Sequence, residues 1–236
     1  MRSFERQPTD IRPLHFQPQF IEHAEGSCMV KMGHTWVLTT ATIDEKVPRW
    51  MDRKGKGWLT AEYAMLPRAT QQRTIRDGIK GRPSGRSLEI QRLIGRSLRA
   101  CLDFSKLGER TITIDCDVIQ ADGGTRTAAI NGGFIALKQA VQTLLKKKKI
   151  KEDPIIDTVS AVSLGLDQGK ILTDLDYKED VRCDVDMNIV MLGKDQFIEI
   201  QGTAEGATFN LAQNQDILLQ AMSAIDHIRD KQLETL

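Results

Sequence analysis

Nowhere in these 236 residues do apolar side chains run unbroken for the 18 or so positions that cross a bilayer, so a transmembrane helix is not expected. The start, MRSFERQPTDIRPLHF, lacks the apolar core and small-residue cleavage site of a secretory signal. Only four cysteines occur (Cys28, Cys101, Cys116, Cys183). They are far apart with no CxxC and no histidine at ligand spacing, which argues against structural zinc and against a disulfide framework. The four histidines form no HExxH, and His23 and His34 read as turn or packing residues. These absences point to a reducing, cytoplasmic setting. No low-complexity linker or clean boundary appears, so the expectation is one domain over 1–236. Both halves run strands then helix, which leaves open a pseudo-duplication with halves at about 1–150 and 151–236.

Large net charge is also missing: the formal value is +1, which excludes a uniformly basic coat for nucleic acid. The distribution is uneven, however. Between Arg68 and Arg99 nine basic residues (Arg68, Arg73, Arg76, Lys80, Arg82, Arg86, Arg92, Arg96, Arg99) face only Asp77 and Glu89. Between Asp174 and Asp186 six acids face Lys178 and Arg182. One segment suits a polyanion and the other a cation, and two solvated faces account for them equally well.

What is present is periodicity. CMVKMGHTWVLTTATI (28–43) alternates around a Gly-His turn and predicts a hairpin. Gly and Pro punctuate 44–85 (RKGKGW, LPRAT, GRPSGR), which reads as a long functional loop with short ordered pieces. Helical spacing of Ile90, Leu93, Ile94, Leu98 and Cys101 predicts a helix from about 86 to 104. TITIDCDV places Ile112, Ile114, Cys116 and Val118 on one strand face. A second helix is expected from about 127 to 147. Gly132 and Gly133 inside it each cost about 1 kcal/mol against alanine, tolerable where a neighbour comes close. Its end, KKKKIK (146–151), reads as a solvated terminus, with RNA binding as the other reading. Strands follow at about 157–166, 184–192 and 196–203, then a closing amphipathic helix through Leu218, Ala221, Met222 and Ile225.

Three stretches carry chemistry. DGGTRT (122–127) joins strand to helix. Such a junction offers free N–H groups and the positive end of a helix dipole to an anion, with Thr125 and Arg126 as further donors. A turn that needs glycine for φ > 0 explains the same residues. In PSGRSLEIQRLIGRS (83–97), Arg86 opens a helix against its dipole, a conflict that bound phosphate would remove. In DLDYKEDVRCDVDMNIV (174–190), Asp180 and Asp186, with Asp184 near the latter, suit oxygen-ligated Mg²⁺ or a carboxyl of raised pKa. An acidic surface loop is the plainer alternative.

Five blocks in order, GWLTAEYAMLPRAT (57–70), GRSLEIQRLIGRSLRA (85–100), RTITIDCDVIQADGGTRTAAI (110–130), DLDYKEDVRCDVDMNIVM (174–191) and IEIQGTAEG (198–206), closely resemble the bacterial ribonuclease PH family. The likeness runs from about Arg6 to the last helix. It implies an α+β, ribosomal-protein-S5-domain-2-like fold with mixed sheets packed by helices, and a homohexameric ring built as a trimer of dimers. The implied activity is that of a tRNA nucleotidyltransferase: phosphate-dependent 3′–5′ exoribonucleolytic trimming of tRNA precursors, with rRNA processing as a related role. Nucleoside diphosphates are released, and the reverse addition of nucleotides is implied too. By position, the phosphate site falls on Arg86, Gly124, Thr125 and Arg126. The catalytic carboxylates, which also carry Mg²⁺, fall on Asp180 and Asp186, and the RNA-binding arginines on Arg68, Arg73 and Arg76. The chain departs from the family where relatives read SGRTQEIQ and ITGA. Here SGRSLEIQ and INGG stand instead, which bears on fine positioning around Ser87, Asn131 and Gly133. Two rival readings remain: a ring subunit that binds RNA without catalysis, and a small-molecule phosphotransferase with the same cradle. The first would be expected to lack one of the site's arginines or carboxylates; the second leaves the basic 68–99 segment unexplained.

Overall fold

The structure, a computed structural model, describes residues 2–76, 79 and 81–236. Asp77 and Lys80, counted above in the basic segment, lie outside the described residues. Strands β1 (Leu14–Pro18), β2 (Gly26–Met32), β3 (Thr35–Asp44), β4 (Trp58–Met65) and β5 (Thr111–Gln120) form one sheet in the order β1-β2-β3-β5-β4. Helices α1 (Gly85–Arg99) and α2 (Phe104–Leu107) connect β4 to β5, and α3 (Thr125–Lys146) follows β5. The second sheet, ordered β7-β6-β8-β9, comprises β6 (Val159–Asp167), β7 (Lys170–Thr173), β8 (Val185–Leu192) and β9 (Gln196–Ala204). Helix α4 (Tyr177–Arg182) links β7 to β8, and α5 (Leu211–Thr235) closes the chain.

The hairpin forms as the alternation predicts: Met32 faces Thr35 across a turn where Gly33 has φ +55°. Strand β5 buries Ile112, Ile114, Cys116 and Val118 and turns Thr113, Asp115 and Asp117 the other way. The 44–85 segment is more ordered than its composition suggests. It contains β4, which lies parallel to β5 in register Trp58↔Thr111 through Met65↔Val118. Tertiary pairing overrides the Gly and Pro punctuation that flanks this strand. Helix α1 stops at Arg99 and not near 104, and α3 begins two residues earlier than the periodicity predicts, because Gly124 supplies its N-cap.

Helix α3 lies between the sheets, packed on β2 and β3 of one and β6 of the other, and it is buried at nearly every position from Thr125 to Val141. Its glycines permit that approach. A Cβ at Gly132 would stand 2.8 Å from Val30 Cγ1 and 3.1 Å from Thr39. One hydrophobic core runs through both sheets without interruption.

Strand β6 pairs with β8 from Val159, but with β7 only from Leu164. Side chains complete the open stretch. Asn131 Oδ1 accepts from Ala161 N (2.7 Å) and its Nδ2 donates to Ala161 O (2.9 Å), so one amide replaces a strand neighbour. Gln232, fully buried on α5, donates to Val159 O (3.0 Å) and to Asn131 O (3.1 Å) and accepts from Ser160 Oγ (2.6 Å). Asn131, in the INGG stretch, therefore carries a structural role.

Asn131→Ala would strand a buried N–H and a buried C=O, each worth about 1–3 kcal/mol. Denaturant unfolding is expected to show a loss of about 2–5 kcal/mol. A loss under about 0.5 kcal/mol, the size of an ordinary surface change, would mean that the amide does not replace a strand partner.

Candidate active site

Two strands running parallel, each followed by a helix, bring both helix N-termini to the carboxyl ends of the strands, where open sheets bind ligands. Strand β4 leads to α1 and β5 leads to α3, so Arg86 in the first turn of α1 and Thr125-Arg126 in the first turn of α3 face one place. Tyr63 of β4 fixes the junction by donating to Thr125 Oγ1 at 2.9 Å.

The DGGTRT corner takes two consecutive left-handed residues, Gly123 (φ +72°) and Gly124 (φ +62°), a conformation that side chains resist. The space around them is also taken. A Cβ on Gly123 would stand 2.6 Å from Leu175 O, and one on Gly124 would stand 2.8 Å from Arg12 Nη2. Gly124 provides no side-chain cap, so the leading N–H groups of α3 stay available to an acceptor. The glycines thus serve the turn and the cradle together, and the two readings of the sequence are one geometry.

Arg126 is aimed by neighbours. Its Nη1 donates to Gln201 Oε1 of β9 (2.8 Å) and to Glu89 Oε1 of α1 (3.4 Å), while Gln201 Nε2 donates to Glu89 (3.3 Å). Arg86 makes no hydrogen bond or ion pair among the described residues, although its charge reaches Asp180 and Tyr63. In the first turn of α1 no acid balances it, and Ser84 caps the helix by accepting from Ser87 N (3.0 Å).

The acidic segment divides in two. Asp174, Asp176 and Glu179 turn inward. Glu179 is bound by Arg2 (2.7 Å) and Arg6 (3.2 Å) and closes a capping box with Asp176. Asp174, in the left-handed region at φ +55°, pairs with Arg12. Arg12 and Asp174 both have zero exposure. Arg12 gives Asp174 three bonds, from its backbone N (2.7 Å), Nε (2.9 Å) and Nη2 (2.7 Å). Burial opposes the charge of Asp174, but Arg12 carries its carboxyl below the ordinary range. Arg12 Nη1 also donates to Asp122 O, while Thr35 Oγ1 donates to Gly123 O (2.6 Å) and accepts from Asp122 N (3.0 Å).

Asp180 and Asp186 face the arginines instead. Partial desolvation raises the carboxyl of Asp180 even though its outer side meets solvent, and the positive charges of Arg86 and Arg126 offset only part of the rise. Asp186, on β8, is raised by burial and then by Asp180 and Glu205. Asp184 does not join them. It precedes β8, and its carboxylate accepts from Gln168 N (3.3 Å) at the β6–β7 turn, because the chain turns before the strand begins. Glu205 takes the third position that sequence spacing assigned to Asp184.

Among the described residues no group of three or more Asp, Glu, His or Cys is arranged to hold a metal ion. The carboxylate oxygens of Asp180 and Asp186, which sense each other's charge, are hard donors that fit Mg²⁺ of the kind completed by water and substrate phosphate, not an all-protein cage. Of the arginines assigned to RNA, Arg68 lines a cavity of about 510 Å³ beside the corner, with His34, Gln71, Asp122 and Lys178. Arg73 and Arg76 are exposed, and the charge of Arg76 reaches Asp117. Sequence spacing had not pointed to Arg12, Tyr63, Gln201 or Glu205. The last three sit inside recognisable blocks, while Arg12 carries no local signal.

The chain is similar to known proteins both in sequence and in fold. The 3′ exoribonuclease family matches in two parts, domain 1 over residues 10–141 and domain 2 over residues 157–224. The chain is 51% identical, over 238 aligned positions, to Ribonuclease PH of Bacillus cereus strain AH187. The alignment covers 100% of this chain and 97% of that one. The same figures hold for Ribonuclease PH of Bacillus anthracis strain CDC 684. Rice Rrp46 superposes with TM-score 0.78 at 18% identity, covering 99% of each chain. A chain of the Archaeoglobus fulgidus exosome, solved with RNA bound to the active site, gives TM-score 0.79 at 22% identity, covering 98% of this chain and 92% of that one.

Arg12→Met removes the guanidinium that pairs with buried Asp174, leaving only the residue-12 backbone N–H and the more distant Arg6 (4.0 Å), and is expected to cost about 3–5 kcal/mol. Adding Asp174→Asn removes the stranded charge and should recover at least about 1 kcal/mol in denaturant titrations. No recovery would show that the pair is not coupled. A second expectation concerns pH. A carboxyl raised by folding costs stability once it ionises. The cost is absent below about pH 4, grows as pH rises through the shifted range and is complete above it. Asp180→Asn should therefore raise Tm at pH 7. The gain should shrink as pH falls toward about 4, and a gain independent of pH would contradict the raised carboxyl.

Proposed function

This chain belongs to the 3′ exoribonuclease family, as a phosphorolytic 3′–5′ exoribonuclease of the ribonuclease PH type, and from that premise we propose how its residues perform the reaction. Inorganic phosphate sits between Arg86 and Arg126, against the N–H groups at Gly124 and Thr125. The RNA 3′ end lies across Asp180 and Asp186. The convergence of two arginines from α1 and α3 upon two carboxylates from α4 and β8 carries this reading.

Phosphate attacks the terminal phosphodiester in line. A bond forms between its oxygen and the phosphorus, the bond to the preceding 3′ oxygen breaks, and a nucleoside diphosphate leaves. The reverse sequence adds a nucleotide. The main obstacle is repulsion: unit charges about 4 Å apart repel by about 4 kcal/mol at an effective dielectric near 20, about three powers of ten in rate. Arg86 and Arg126 reduce that repulsion and hold the nucleophile in place, with Gln201 and Glu89 fixing the fork of Arg126. Phosphate is already ionised at neutral pH, so the site has no need of a general base. As the alternative to holding a metal ion, a protonated carboxyl of the pair would pass its proton to the leaving 3′ oxygen. Asp180 and Asp186 would hold Mg²⁺ together with water and substrate oxygens, and when bound it supplies Lewis-acid neutralisation of charge on the bridging oxygens.

tRNA precursors are the substrates we assign, with Arg68, Arg73 and Arg76 contacting the RNA backbone; the exposure of these arginines near the entrance supports that role. We read residues 1–236 as one unit, supported by the continuous core. A hexamer built as a trimer of dimers follows from the family resemblance. The exposed apolar side chains Tyr177, Val181, Phe197 and Ile200 suit such contacts. Four free, buried cysteines support a reducing cytoplasmic location. A ring subunit without catalysis finds no support here, because both arginines and both carboxylates are in place.

A tRNA with extra 3′ nucleotides should be shortened only when phosphate is supplied, releasing nucleoside diphosphates. Nucleoside monophosphates formed without phosphate would overturn the reading. Arg126→Ala should abolish that activity yet change tRNA affinity by no more than about threefold, under 1 kcal/mol, because this arginine meets phosphate and not the RNA body. A large loss of affinity would show that the roles are misassigned.

A further inference from the structure

Two basic runs, RKGKGW and KKKKIK, lie outside the proposed phosphorolysis site, yet the fold brings them together. Glu45 binds Arg110 (2.9 Å) and Lys149 (3.4 Å), which places the end of α3 beside the segment after β3. Lys106 of α2 binds Glu152 (3.0 Å), joining the same region from the other side. Segments 44–56, 104–110 and 146–153 together hold twelve basic residues against six acidic ones, on a chain whose net charge is +1. The acids are mostly engaged: besides Glu45 and Glu152, Glu109 accepts from Gly55 N (3.0 Å) and Asp153 binds Lys138 (2.7 Å). Lys46, Arg49, Lys56, Lys147, Lys148 and Lys151 are exposed and have no ion-pair partner among the described residues.

An aromatic ladder stands within this face. Phe104 stacks with Trp58 (centroids 6.0 Å, 26°), and Trp58 meets Trp50 edge-on (4.8 Å, 82°). Arg99 lies 4.8 Å over Trp58 and Lys54 lies 5.9 Å from the ring centre of Trp50. The inner rings are fixed by these contacts, while Trp50 remains 58% exposed. A large ring held open to solvent among unpaired cations matches neither a core residue nor a solvated charge run. It is the composition that binds single-stranded nucleic acid, with bases stacked on rings and phosphates on cations.

Position gives the face its role. Trp58 lies beside Thr111 at the start of β5, and the phosphate corner follows its end. Ten residues of strand at about 3.3 Å each separate the two by about 30 Å. We propose that the face around Trp50 and the 146–151 lysines is a second RNA-binding surface, on which an unpaired stretch of the RNA body stacks while its 3′ end occupies the phosphorolysis site. This deepens the functional reading above and rests on it.

The test compares a long oligoadenylate with one too short to span that distance, using Trp50→Ala, Trp50→Phe and the pair Lys147→Gln/Lys148→Gln in the full chain. Trp50→Ala should raise KM for the long RNA about tenfold with kcat unchanged. The short RNA should be unaffected, and Trp50→Phe should restore most of the loss. The lysine pair should lower the salt slope of long-RNA binding, read by fluorescence anisotropy, by about 0.7 per lysine. Equal effects on both lengths, or an unchanged slope, would overturn the proposal. So would a change of sedimentation in Trp50→Ala, which would show a second copy of the chain covering the ring. If the unaltered protein shortens neither RNA with phosphate, the functional reading fails, and the anisotropy measurement still decides whether the surface binds RNA.

Discussion

The ion pair between Arg12 and Asp174 is the constraint on which the site depends. Both groups are removed from water, which is costly unless geometry and further hydrogen bonds compensate. Here they do. Asp174 receives three bonds from Arg12, and the remaining reach of the guanidinium goes to the carbonyl of Asp122. Arg12 therefore touches both walls of the site, the glycine corner from the first sheet and the acidic segment from the second. The left-handed backbone at Asp174 is held by the same contacts, and it starts the turn that aims Asp180 away from Asp174. The same guanidinium explains why Gly124 must lack a side chain, since a Cβ there would stand 2.8 Å from its Nη2.

The seam between the sheets also separates the charges by origin. Arg86 and Arg126 come from helices attached to the first sheet, and Asp180 and Asp186 come from elements of the second. Neither half contains the site alone. Gln201 of β9 crosses the seam to hold Arg126, and Tyr63 of β4 locks the start of α3. Closing one core around α3 thus brings these groups together, and the inward-facing acids Asp176 and Glu179 hold the N-terminal arginines Arg2 and Arg6.

Much of this was legible in the residues, for identifiable reasons. Alternation in 35–43 and 111–118 and helical spacing in 86–101 mark elements that bury one face, whereas β2 is buried on both. The corner at Gly123-Gly124 was legible because glycine takes left-handed steps without the steric cost of a Cβ. Strand β4 was not, since it is held by pairing with β5, a partner some fifty positions away that local composition does not reveal. Arg12 was illegible for the same reason: 162 positions separate it from Asp174. Asp184 was misplaced because period-two spacing assumes that the strand has begun, whereas β8 starts at Val185.

The ionisation pattern of the site follows from its nucleophile. An enzyme that activates water or a hydroxyl needs a base poised to remove a proton, and a histidine commonly serves. Phosphate arrives already charged, so the demand is reversed: the site must tolerate added anion and supply a proton, or equivalent positive charge, to the oxygen that leaves. Free carboxylates beside the incoming phosphate would worsen the repulsion. Burial and the mutual proximity of Asp180, Asp186 and Glu205 push this pair toward protonation, while Arg86 and Arg126 pull Asp180 the other way. On the proposed assignment, phosphate at the arginines would neutralise part of that pull and raise both carboxyls further, a coupling that follows from placing two cations between one bound anion and two carboxylates.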